Sequence, residues 1–295
     1  MSTLDHKIDF AVVFSVHNAN PNGDPLNGNR PRQNYDGYGE VSDVCIKRKI
    51  RNRLQDMGES ILVQSDERRG DGYRSIKERV DANAEVQEFA KGKKANNDLY
   101  AQAACNAWLD VRSFGQVFAF GGAEGSGSGV SIGVRGPVSI HTAVSIDPID
   151  ITSMQITKSV NATTPKDNPN KKSPDTMGMK HRVDFGVYVF YGSINTQLAG
   201  KTGFTYEDAE KIREALVTLF ENDTSSARPD GSMEVHKVYW WEHKSGLGQY
   251  SSAKVHRSLQ IHLNEGVTQP KSFDDDYTCT LQPLDGLEVR EYAGL

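Results

Sequence analysis

Cysteine is scarce in this chain. Cys45, Cys105 and Cys279 are odd in number and far apart, which excludes a disulfide framework and a CxxC zinc pattern. They read as small apolar core residues in a reducing compartment. No apolar run approaches the length of a membrane span, and residues 1–10 lack the charged and apolar blocks of a signal peptide, so the expectation is a soluble cytoplasmic protein with no membrane partner. The eight histidines show no H-E-x-x-H spacing and no cysteine neighbour. GGAEGSGSG at 121–129 lacks GK[ST], does not match G-x-G-x-x-G, and precedes a strand rather than a helix, which argues against a nucleotide-phosphate cradle. The expectation is therefore no catalytic residues, no metal and no cofactor. Asp24, Asp36 and Asp43 are the loop carboxylates that could gather a metal for phosphodiester hydrolysis, and a metal-dependent ribonuclease is the alternative reading.

What is present is a globular composition of 295 residues, 37% hydrophobic and 25% charged, long enough to bury a proper core. The formal charge of -5 confines any nucleic-acid surface to a local patch. Two such patches exist. Between residues 27 and 53, Arg30, Arg32, Lys47, Arg48, Lys49, Arg51 and Arg53 face only Asp36, Glu40 and Asp43, a net charge of +4. Between 158 and 182, Lys158, Lys166, Lys171, Lys172, Lys180 and Arg182 face Asp167 and Asp175, again +4. Residues 265–295 run acidic and read as a solvated tail, or as a surface for a basic partner.

Residues 8–16, IDFAVVFSV, predict a buried central strand. It runs into NANPNGDPLNGNRPRQ (18–33), where Asn, Gly and Pro forbid regular structure over a length that suggests function. From residue 41 the period becomes helical, with Ile46, Ile50, Leu54 and Met57 on one face, Ser42 or Asp43 as cap and Gly58 at the end. Residues 59–97 form a polar insertion with one short helix near 75–90. Residues 98–109 are a helix buried on two sides. A strand follows over 131–141. Further strands over 154–162 and 183–194 flank a Pro-, Asn- and Lys-rich stretch too polar to bury a core, which makes them a hairpin-like arm. Residues 205–220 are an amphipathic helix in which Thr205 and Asp208 resemble a capping box, and strands at 233–241 and 255–263 complete the sheet. This order predicts an α+β fold, helices on a mostly antiparallel sheet with a ferredoxin-like or RRM-like core, as one elaborated domain spanning 1–295.

Backbone amides in an Asn/Gly loop can approach an anion closely, and Asn18, Asn20, Asn22 and Asn29 add neutral donors beside Arg30 and Arg32. An ordinary solvated loop explains the same residues equally well. The helix that follows tips the balance toward RNA binding, because no acidic residue lies between Val44 and Gln55 to pair with its cations. Arg112, Phe114, Gly115 and Val117 match four positions of the RNP1 pattern, which is too few to make Phe114, Phe118 and Phe120 a stacking platform rather than core, although the turn at Gly115 and Gln116 can still touch phosphate. In the arm, Met177 and Met179 stand among polar residues beside Lys180, His181 and Arg182. Flexible apolar tips there can wedge against unstacked bases while cations hold phosphate, or can pack on a neighbouring subunit.

The early strand followed by NPNGDP and NGNRPR, the helix SDVCIKRKIRNRL, then DVRSFGQVF, ITKSVNAT and MGMKHRVDFG together resemble the Cas-seven family of CRISPR-associated proteins, closest to the type I-C (Dvulg) backbone subunit. The resemblance extends from about residue 8 to 194. It implies a modified RRM core, a palm, that coats a CRISPR guide RNA in head-to-tail copies within a Cascade complex, beside other Cascade subunits and the target DNA. On this chain the palm contacts would be Asn18, Asn20, Asn22, Arg30, Arg32, Lys47, Arg48, Arg51, Arg112, Phe114, Gly115 and Gln116, with Lys158 of the thumb also binding RNA. Residues 59–97 would be a finger-like insertion and 158–182 a thumb, with Met177, Met179, Lys180, His181 and Arg182 at the guide-target duplex. Such a protein reads RNA through phosphates and shape, because base pairing supplies sequence.

Overall fold

A computed structural model describes residues 2–90, 94–120, 130–161, 163, 164, 166 and 177–295. The first apolar run becomes β1 (Ile8–Ala19), whose first nine residues are all buried. A small hairpin, β2 (Gly23–Asp24) with β3 (Arg30–Pro31), and β4 (Tyr38–Val41) follow. β1 lies antiparallel between β10 (Met177–Ile194) and β11 (Met233–Glu242). The sheet order is β14 (Val289–Ala293), β11, β1, β10, β8 (Ala143–Pro148), β4, and β7 (Val138–Ile140) and β9 (Ile151–Thr157) also pair with β10. All of these pairings are antiparallel.

The unbroken apolar character of β1 has a direct cause. Successive side chains point to opposite faces, and both faces are covered. Phe10, Val12 and Phe14 pack with Ile46, Ile50 and Leu54 of α1 (Asp43–Asp56) and with Ile212 and Leu216 of α7 (Tyr206–Val217). Ala11 and Val13 pack with Tyr239, Trp241, Val255, Leu259, Phe273 and Tyr277. That second layer is built from α8 (Ser252–Ser258), β12 (Leu259–Leu263), α9 (Phe273–Asp276) and β13 (Tyr277–Leu281). Each large side chain so buried is worth about 1.5–3 kcal/mol. The centre of the sheet is thereby closed to bases on both faces.

A second core stands beside the first. Leu62, Val80, Val86, Tyr100, Ala104, Trp108, Phe118 and Ile132 join α2 (Ile76–Asp81), α3 (Ala84–Glu88), α4 (Asn97–Ala107) and α5 (Leu109–Phe114) to the hairpin of β5 (Gly115–Phe120) and β6 (Val130–Arg135). Asp110 fastens it to the main body. Its carboxylate accepts from the backbone N–H of Leu62 at 2.8 Å and of Val63 at 3.1 Å, and from Arg51 Nε at 2.9 Å.

Local signals hold where they are strong. Ser42 caps α1 through Cys45 N–H, and Thr205 with Asp208 forms the reciprocal capping box of α7. Other expectations are corrected. The helix near 75–90 is two, because Ser75 and Asn83 each cap a separate turn. The helix over 98–109 breaks at Trp108, which is extended. The strand over 131–141 divides at residues 136–137, where Pro137 has no N–H and a Cβ on Gly136 would lie 2.3 Å from Ser113 O. Residues 255–263 are not one strand: Ser251 caps α8, and extension begins only at Leu259. The acidic segment 265–295 is no loose tail, since β13 pairs with β12 and β14 forms a sheet edge against β11. α6 (Thr196–Thr202), β4 and β8 were not anticipated. The glycine loop 121–129, part of the insertion (91–93) and the arm's 162, 165 and 167–176, with Lys171 and Lys172, lie outside the described residues.

Candidate nucleic-acid interface

The Asn/Gly loop is held by its own asparagines. Asn18 and Asn29 sit at φ 54° and 59°, the left-handed region that Asn tolerates. Asn20 is buried and donates to Asn29 O at 2.7 Å. Asn22 Oδ1 accepts from both the N–H and the hydroxyl of Ser42 at 2.9 Å, tying the loop to the start of α1. Asp24 caps the 3-10 turn Pro25–Asn27, which leaves Leu26 96% exposed. Buried Asn20 Oδ1 and Arg32 Nε have no partner among the described residues. Arg32 otherwise reaches Asp24 Oδ1 at 3.6 Å.

Arg30 leaves the loop and docks on the arm. Its Nη1 donates to Ser153 Oγ at 2.6 Å and lies 3.5 Å from His181 Nδ1, while Ser153 Oγ is 2.8 Å from the same nitrogen. Ser153 Oγ is the shared partner of Arg30 and His181. Two segments more than 120 residues apart thus form one surface.

The arm is the outer part of β10 paired with β9, from Met177 opposite Thr157 to Val183 opposite Ile151. Opposed residues share a face, so Met177, Met179 and His181 lie on one side and Lys180, Arg182, Met154 and Ile156 on the other. Met177 and Met179 are 63% and 56% exposed. Arg182 is 3.5 Å from Asp184, whose Oδ2 accepts from Thr152 Oγ1. Lys158, Lys166 and Lys180 have no ion-pair partner among the described residues; Lys158 and Lys166 are exposed and Lys180 is half-buried.

The basic helix is different, and here the expectation of unpaired charge is corrected. Lys47 pairs with Asp43 at 3.0 Å, one turn back. Arg48 donates to Val63 O at 2.6 Å, and burial, with Arg51 nearby, pushes its pKa down. Lys49 is buried against Asp223, and the same burial lowers its pKa. Arg51 binds Asp110 and lies 5.0 Å over the Phe114 ring. Arg53 donates to Thr218 Oγ1 at 2.7 Å. The acidic and carbonyl partners come from outside the stretch that looked one-sided.

The 112–116 turn is also internally engaged. Arg112 grips Asp208 through two hydrogen bonds of 2.8 Å and donates to Cys105 O. Burial works to raise the Asp208 pKa, but Arg112 and the backbone of Thr205 outweigh it and hold the carboxyl down. Gly115 has φ +79°, and a Cβ there would sit 2.2 Å from Val134 O, so glycine is required by close backbone approach. Gln116 donates to Val117 O. Reading the sequence overlooked Ser153 as the docking point of Arg30; no local pattern signals it. Among the described residues, no three His, Cys, Asp or Glu side chains converge as metal ligands, and no helix is long and apolar enough to cross a membrane.

A two-core α+β protein with a projecting basic hairpin is the class this geometry defines. The family described as CRISPR-associated protein Cas7 matches over residues 6–282, and the chain belongs to it. A CRISPR-associated protein Cas7 of Haloferax volcanii is 25% identical over 241 residues, 77% of this chain and 67% of that protein. Among solved structures, a chain of a CRISPR RNA-guided surveillance complex, pre-nicking, is 14% identical with TM-score 0.45, over 80% of this chain and 78% of that one. A chain of a CRISPR RNA-guided surveillance complex is 17% identical with TM-score 0.39, over 80% and 68%.

Proposed function

We propose that this protein is a non-catalytic backbone subunit that coats CRISPR guide RNA in head-to-tail copies within a type I-C Cascade complex and supports target-DNA recognition beside other Cascade subunits. The observation that carries this reading is the junction of Arg30 with Ser153 and His181, which joins the Asn/Gly loop to the arm. Phosphates would meet Arg32, Lys158 and Lys180, while Met177 and Met179 on the exposed face of the arm would press on the guide-target duplex. Lys47, Arg48, Arg51 and Arg112 enter as supports of this surface, since each is already engaged within the chain. The sheet and its helices would be a modified RRM-like palm, residues 59–97 a finger-like insertion and 158–182 a thumb. A head-to-tail contact continues as an open filament that RNA length and end partners terminate.

The test is whether the purified protein carries a discrete small RNA, and whether labelled RNA stays intact with Mg²⁺ or Mn²⁺. A protein without RNA that binds none when offered it overturns the reading. Metal-dependent cleavage abolished by Asp24→Ala or Asp36→Ala would establish the ribonuclease instead.

A further inference from the structure

Arg112 is locked to Asp208, but the residue opposite Gly115 across the β5–β6 hairpin is Arg135, exposed and without an ion-pair partner among the described residues. Arg135 opens onto a cleft of about 570 Å³ between α4, β6 and α6, which it lines with Asp98, Gln102, Cys105, Lys201 and Thr202. Lys201, on the last turn of α6, is likewise exposed and unpaired among the described residues. We propose that this cleft is a second phosphate site for single-stranded RNA, separate from the loop and arm; it rests on the reading that the chain holds RNA.

The chemistry of the walls favours a phosphodiester. A concave site with cations on its rim concentrates positive potential. The guanidinium fork of Arg135 matches two non-bridging oxygens of one phosphate, Lys201 supplies a point charge for the next, and the Gln102 amide can serve a ribose hydroxyl. None of these groups reads a base. The backbone under Arg135 is fixed, because Gly115 and Gly136 pack so closely that an added Cβ would strike main chain at both. Cys105 on the floor is not a nucleophile, since burial pushes its thiol pKa up to about 11. Asp98 is the one acidic lining residue among the described residues, and it gives the test a sign.

The full chain is titrated against fluorescent mixed-sequence single-stranded RNA over a salt series. Arg135→Gln with Lys201→Gln should weaken binding about fivefold and reduce the salt slope by about 1.4, as expected for two lost phosphates. Asp98→Asn should tighten binding about twofold, an effect that misfolding would not produce. Lys158→Gln with Lys180→Gln, run in parallel, tests the loop-and-arm surface independently. Wild-type affinity in the cleft double variant, or no tightening by Asp98→Asn, overturns the cleft whatever the arm variant does. Unchanged RNA affinity with lost self-association by sedimentation would make the cleft a contact for an acidic protein surface and equally overturns it.

Discussion

Helix α1 and the β9–β10 arm carry similar excesses of positive charge and use them in opposite ways. Four of the five cations of α1 turn inward, to Asp110, Asp223, Thr218 and a backbone carbonyl, so the helix clamps both cores together, while Lys47 pairs with Asp43 one turn back. Lys158, Lys166 and Lys180 of the arm have no such partners among the described residues. The difference is one of burial. A cation near a core must be paired or lose its hydration without return, whereas one on a projecting hairpin stays hydrated and available. Density of charge along a chain therefore does not identify a binding surface. Burial and pairing decide which cations keep a partner within the protein.

The largest effect that could break this contrast is expected at Asp110. Asp110→Ala strands Arg51 and two backbone N–H groups, and should cost about 3–5 kcal/mol in urea unfolding. A neutral result would mean that α1 is not held by these ties. In the arm, Lys158→Gln with Lys180→Gln should change stability by no more than about 0.5 kcal/mol while lowering RNA affinity about fivefold. Loss of stability without loss of affinity would make the arm another structural element. Met177→Ser with Met179→Ser should impair target-DNA pairing more than guide retention, and equal loss of both would remove the wedge role.

A polar knot between the sheet and its C-terminal layer extends the contrast to pH. Buried Asp9 lies 2.8 Å from His243 Nε2 and 3.0 Å from Lys7 Nζ, and His256 Nε2 is 3.1 Å from Gly192 O. Burial works to raise the Asp9 pKa, but hydrogen bonds from His243, Ser252 and Lys7 hold it below the usual range. Burial pushes the His256 pKa down, against the pull of Asp9. Both folded values are depressed, so both contributions are present above the unfolded pKa and are lost as pH falls through the folded one. Stability should drop from about pH 6.5 downward for His256 and again below about pH 4 for Asp9. His256→Gln should flatten the first of these in urea titrations at stepped pH; an unaltered slope would assign it elsewhere. The smallest effect is expected at Lys47, half-buried and paired with Asp43 one turn back, where Lys47→Ala should cost about 0.5 kcal/mol or less.

Much of this was legible in the chain itself. β1, α1 with its Ser42 cap, and α7 with its capping box follow from local periodicity and side-chain chemistry, which act within a few residues. The order of motifs carried the family. The missed elements have common causes: β8 and β14 hold their place by pairing with distant strands, and Val255 belongs to a helix because Ser251 caps it. Only the tertiary structure decided which cations are available. Lys49 meets Asp223, Arg51 meets Asp110, Arg112 meets Asp208, and Arg30 meets Ser153 across the fold. Charge pairing is a through-space property, and no spacing along the chain encodes a partner that folding brings from 59 to 174 residues away.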